Sequence, residues 1–150
     1  NLYWNESPDY ETRTSYSIVV NASDGTNQTQ IDLTINVTDV NENPSFTSPS
    51  TFYKVENVSG GQRYCCRVTV SHPQNSPTYL SLSGTDSDKM YIQYGDDPTH
   101  GNHGRIIFNE YVDYETDQIT YSVIVTAYDD NSNSSQQAIT INITDDESDN

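Results

Sequence analysis

Apolar residues in this chain recur at every second position, and that spacing limits what it can fold into. Ile18, Val20 and Ala22 are interleaved with Ser17, Val19 and Asn21, and Ile31, Leu33, Ile35 and Val37 with Asp32, Thr34, Asn36 and Thr38. Val123, Val125 and Ala127 repeat the first pattern, and Ile139, Ile141 and Ile143 the second. Successive side chains of an extended chain point to opposite sides, so each run has one apolar and one polar face. No segment keeps a helical period for three turns. Turn-forming clusters, Asp24-Gly25-Thr26-Asn27 and Asp129-Asp130-Asn131-Ser132, follow the runs. Short half-buried strands with regular turns predict an all-β chain: an antiparallel sandwich with one buried face per sheet.

The strands also repeat in order. Asn5-Glu6 and Asn109-Glu110 each come shortly before Asp-Tyr-Glu-Thr, at residues 9–12 and 113–116. Tyr16-Ser17-Ile18-Val19-Val20 returns as Tyr121-Ser122-Val123-Ile124-Val125, and Thr34-Ile35-Asn36-Val37-Thr38-Asp39 as Thr140-Ile141-Asn142-Ile143-Thr144-Asp145. The offset drifts from 104 to 106 residues, as it does when only loops vary in length. A period of one sandwich domain predicts a tandem array. Residues 45–150 make a whole unit. Residues 1–44 match only the last three strands of the unit before it and cannot bury their own inner face.

Charge narrows the function. The chain has 22 acidic and 6 basic side chains, a formal charge of −16. That excludes polyanionic partners, nucleic acid and anionic membrane surfaces, and favours cations. Hydrophobic residues, at 32%, are too few for a large enzyme core, whereas 12 tyrosines with frequent Val and Ile argue against disorder. No apolar stretch approaches the ~20 residues that span a bilayer. A first residue of Asn, with no signal peptide, reads as a segment of a longer protein.

Three motifs occur twice in the same order: Asp9-Tyr10-Glu11, Ala22-Ser23-Asp24 and Asp39-Val40-Asn41-Glu42-Asn43-Pro44, then Asp113-Tyr114-Glu115, Ala127-Tyr128-Asp129 and Asp146-Glu147-Ser148-Asp149-Asn150. Val55-Glu56-Asn57 adds a fourth near the start of the whole unit. In this order the motifs resemble the cadherin repeat, and Tyr79–Asp86 is similar to the cadherin-like repeats of large bacterial surface proteins. The resemblance implies a Greek-key, immunoglobulin-like β-sandwich. It also implies calcium held where neighbouring repeats meet, by Asp9, Glu11, Asp39, Asn41, Glu42, Asn43 and Asp129 at the internal junction. At the C-terminal end the set would be Glu56, Asp113, Glu115, Asp146 and Asp149. Carboxylate and amide oxygens are hard donors that suit Ca2+, whereas Zn2+ would want the His or Cys these motifs lack. Without metal such carboxylates repel, by ~1 kcal/mol for two unit charges ~4 Å apart in water. With metal the linker locks and the array stiffens.

The sequence departs from the family pattern where an Asp-x-Asp is usual, since those positions fall near Ser71 and Pro73. The calcium position nearest the second unit should therefore be weak or empty, with Asp129 and Asn75 as remaining donors and one or two ions rather than three. The implied function is a calcium-binding extracellular repeat pair of a cell-surface adhesion protein. Its partners would be neighbouring repeats and an adhesion molecule on a facing cell. Two other readings stay open: a glycan- or peptide-binding module using Ser71–Pro77 and Tyr94–Gly104, and a passive spacer with decayed motifs.

Other features carry less. Cys65 and Cys66 are adjacent, and on an extended strand they point to opposite faces, with Cys66 packed and Cys65 exposed. His100 and His103 fall in a loop between strands, and Trp4 and Phe108 occupy equivalent core positions. Asp9 with Glu11 has the look of a glycosidase pair, but its duplication argues against an active site. No nucleophile–base pair or phosphate loop is present, so an enzyme is not expected. Asn5, Asn21, Asn27, Asn36, Asn57, Asn133 and Asn142 begin glycosylation sequons, which carry meaning only in a eukaryotic host.

Overall fold

Each alternating run becomes a strand. The computed structural model describes residues 1–56, 63–94 and 103–147, and the chain divides into two units, 1–41 and 42–150. Pro44 is buried and accepts a hydrogen bond from the Ser135 hydroxyl, which joins residues 42–44 to the second unit.

The first unit is a hairpin of β1 (Ser15–Ser23) and β2 (Gln28–Asn36), paired antiparallel over nine rows. The turn between them closes on Asp24, whose Oδ1 accepts the N–H groups of Thr26 at 2.9 Å and Asn27 at 2.7 Å, while Gly25 takes the positive φ of 93°. Tyr16 faces Ile35 and Ile18 faces Leu33 on the side that would be the inner face. None of residues 1–41 is buried.

Two expectations change here. The unit has two strands, not three, because residues 1–4 lie outside any strand. In the second unit the equivalent segment is held between two neighbouring strands, and residues 1–41 contain no counterpart of them. Trp4, expected to be buried like Phe108, is 46% exposed and leans edge-on against Tyr16 at 4.8 Å, whereas Phe108 is 2% exposed.

The second unit contains β3 (Ser45–Phe46), β4 (Thr51–Val55), β5 (Tyr64–Ser71), β6 (Thr78–Ser83), β7 (Met90–Tyr94), β8 (His103–Phe108), β9 (Thr120–Asp129) and β10 (Ser134–Thr144). They form two four-stranded sheets, ordered β4-β10-β9-β6 and β3-β5-β8-β7. Between the sheets lies one core in which the alternating positions of β9 and β10 (Tyr121, Val123, Val125; Ile139, Ile141, Ile143) meet Cys66, Val68 and Val70 of β5 and Ile106 and Phe108 of β8. Tyr121 pairs with Ile141 as Tyr16 pairs with Ile35, so the repeat preserves register as well as sequence. At one edge the Tyr94 hydroxyl donates to the Leu80 carbonyl and accepts from its N–H, clasping β7 to β6.

The sandwich is not wholly antiparallel. The first strand switches sheets at Ser48-Pro49-Ser50, where Pro49 has no N–H to offer a ladder. Beyond the switch, β4 runs parallel to β10. His103 is part of β8 and pairs with Thr69, and the adjacent Gly104 is buried where an added Cβ would meet Ile92 at 2.7 Å. His100 and residues 95–102 lie outside the described residues, as does Asn57.

The cysteines also differ from expectation. A bulge between Tyr64 and Cys66 interrupts the pairing of β5 with β8. The extra residue breaks the two-residue alternation. Cys65 therefore turns in against the core beside Cys66, with the two Sγ atoms 2.9 Å apart.

Candidate metal centre

The two Asp-Tyr-Glu-Thr segments fold alike. Asp113 Oδ1 accepts the N–H groups of Glu115 and Thr116, both at 3.0 Å, and Asp9 Oδ1 accepts those of Glu11 at 2.9 Å and Thr12 at 3.3 Å. The side chain closing on its own backbone makes a tight turn. The same contacts, led by the Thr12 hydroxyl, hold the Asp9 carboxyl below the usual carboxylate range. Asp therefore shapes each turn.

In the second unit this turn brings Glu115 to the end of β4. Glu56, one residue beyond that strand, is fully buried. Its Oε1 accepts the Asp146 N–H at 3.0 Å and its Oε2 accepts the Tyr114 N–H. Oxygens of Glu56, Glu115 and Asp145 all lie within 4.8 Å of one another. The Lys89–Asp86 ion pair and the His72–Asp129 hydrogen bond found among the described residues are elsewhere. A buried carboxylate needs compensation, and backbone N–H groups supply only part of it. Two oxygens bound to one Ca2+ at ~2.4 Å are at most ~5 Å apart, so the three carboxylates match that ion in spacing and hardness.

Of the residues expected at the C-terminal end, Glu56 and Glu115 are therefore brought together. Asp113 caps the turn, Asp146 contributes its N–H to Glu56, and Asp149 lies outside the described residues. Asp145 was missing from the expected set. The signal for it was in the repeat, because Asp145 stands at the position of Asp39. Asp9, Glu11, Asp39 and Asn41 belong to the first unit, and among its described residues no three carboxylates gather this closely. Glu42, Asn43 and Asp129 belong to the second.

Asp129 and Glu42 meet nitrogen donors. Between Ser71 and Pro73, the positions where carboxylates were expected, His72 is buried, with its Nε2 3.1 Å from Asp129 Oδ2. His72 Nδ1 accepts the Gln74 N–H at 3.3 Å, which leaves Nε2–H as the donor to Asp129. Asp129 Oδ1 accepts the N–H groups of Asn131 and Asn133, both at 2.9 Å, and Glu42 accepts from the Gln74 side-chain amide. Asn75, the other expected donor, is exposed in a left-handed turn with φ 52°.

No family model matches the chain, and no curated protein does. Solved structures do. Protocadherin gamma B7 extracellular cadherin domains 1–4 superpose with a TM-score of 0.63 at 22% identity, over 95% of this chain and 35% of that one. The protocadherin gamma B4 extracellular domain gives 0.60 at 23% identity, over 93% and 22%. The human desmocollin-1 ectodomain gives 0.56 at 19%, over 92% and 29%. The chain thus spans about a third or less of each ectodomain.

Proposed function

We propose, from the premise that this chain has the cadherin-repeat fold, that it is a calcium-binding pair of extracellular repeats from a cell-surface adhesion protein. The observation that carries the reading is Glu56: a fully buried carboxylate facing two exposed ones, with backbone N–H groups as its protein partners. Glu56, Glu115 and Asp145 would hold the ion. Bound there, the ion turns mutual repulsion into attraction and fixes the segment after β10 against β4 and the Asp113 turn. A further repeat continuing from that segment would be held at a set angle, which is a mechanical role and not a catalytic one. Neighbouring repeats are then the first partners, and an adhesion molecule on a facing cell the second. The sequons would carry glycans in a eukaryotic host.

In the repeat register Glu11 and Asp39 are the counterparts of Glu115 and Asp145. In the second unit, N–H donors already occupy oxygens of Asp129 and Glu42. Those contacts favour a spacer reading for that end alone.

Equilibrium dialysis against calcium tests the proposal. The wild type should bind at least one ion in the range of extracellular modules, ~10⁻⁴–10⁻³ M, and a Glu115→Gln/Asp145→Asn variant should bind one fewer. Equal counts in the two proteins would refute the assignment.

A further inference from the structure

Two adjacent thiols are poorly placed to meet on a regular strand, because alternation sends them to opposite faces. In β5 the bulge removes that obstacle. Tyr64 pairs with Ile107 and Cys66 with Ile106, so Cys65 is the supernumerary residue and both thiols face the same side. Their sulfurs are 2.9 Å apart, in contact through an S–H···S hydrogen bond. Cys66 is buried and Cys65 only partly so, which makes Cys65 the more accessible of two adjacent thiols. Lys54 of β4, half-buried, lies close enough to act electrostatically on both sulfurs. The hydrogen bond to Cys65 and, after it, burial push the Cys66 thiol up, and the less buried Cys65 is the one a reagent meets first.

We infer that Cys65 and Cys66 form a redox-active pair that closes into a vicinal disulfide. The oxidant is a small-molecule or protein disulfide. The Cys65 thiolate attacks one of its sulfurs, forming a mixed disulfide and releasing one thiolate. Cys66, deprotonated, then displaces the second. Two protein thiols lose two electrons and two protons, and one oxidant disulfide becomes two thiols. The Cα atoms of neighbouring residues are ~3.8 Å apart, below the roughly 4.4–6.8 Å usual for a disulfide. The ring is therefore strained and readily reduced, which makes it a reversible modification and not a structural staple. Nothing in this inference depends on calcium.

The test is intact mass and free-thiol count of the whole chain in glutathione buffers. With oxidised glutathione in excess, the thiol count should fall from two to zero, with a mass lower by two hydrogens and no retained glutathione. Excess reduced glutathione should restore both thiols. A Cys66→Ser variant should stop at a glutathione adduct on Cys65. Two unreacted thiols in the wild type, a persistent wild-type adduct, or a disulfide-linked dimer would each overturn the inference. Peptide mapping under native conditions keeps the result independent of whether the variant folds.

Discussion

Replacing Glu115 and Asp145 together by their amides gives a clean perturbation, because both are exposed and the core beneath them is untouched. The variant keeps Glu56 and its two backbone N–H bonds but removes two of the three carboxylates. For a site of extracellular affinity, calcium at about ten times the dissociation constant stabilises the folded unit by ~1.4 kcal/mol per ion. Unfolding a unit of about a hundred residues has an entropy near 0.2 kcal/mol/K, so one ion should raise the wild-type melting temperature by about 7 °C. The variant should show no such rise. In chelator the order reverses at low salt, because the wild type retains repulsion that the variant lacks, and added salt narrows the gap. Near-ultraviolet circular dichroism of the tyrosines, nine of whose twelve lie in the second unit, mainly follows that unit, while the single tryptophan, Trp4, reports on the first. An equal calcium response in both proteins, or a variant less stable than the wild type in chelator, would refute the reasoning.

Other outcomes follow from the same geometry. His72→Ala leaves Asp129 buried without its imidazole partner and should cost about 1.5–3 kcal/mol in urea denaturation, with the loss unchanged by calcium because the contact is metal-free. Ile141→Ala removes a core side chain with 0% exposure and should cost about 2–5 kcal/mol. Ile35→Ala, its repeat counterpart in a unit with no buried residue, should leave the melting of the second unit unchanged. The Ser122 N–H, then Lys89 and Gln118, hold the Asp86 carboxyl below its usual value of 3.8. A lowered folded-state value means that its stabilisation is complete above about pH 4 and is lost as pH falls through the folded value. Urea midpoints of wild type and Asp86→Asn should therefore converge on going from neutral to acidic pH.

Local pattern was enough for the strands, since a period of two specifies which residues share a face without reference to what covers them. Tyr16 and Ile35, and again Tyr121 and Ile141, fall opposite each other because both runs keep strict alternation up to a turn. The duplicated Asp-Tyr-Glu-Thr segment was legible for a similar reason, as its hydrogen bonds close within four residues. The repeat register also contained the third carboxylate, Asp145, through its match to Asp39.

What tertiary structure decided were the contacts between residues far apart in sequence. Alternation cannot say that β4 crosses to the other sheet and runs parallel to β10, or that Glu56 is consequently buried beside residues 58 and 90 positions away. It gave no sign that His72 would reach Asp129 across 57 residues. Nor can it locate a bulge, which arises from the match between β5 and β8 and places two neighbouring thiols on one side. Sequence periodicity fixes the direction of a side chain relative to its own strand, whereas burial, ion pairing and sulfur proximity depend on which other strand arrives opposite.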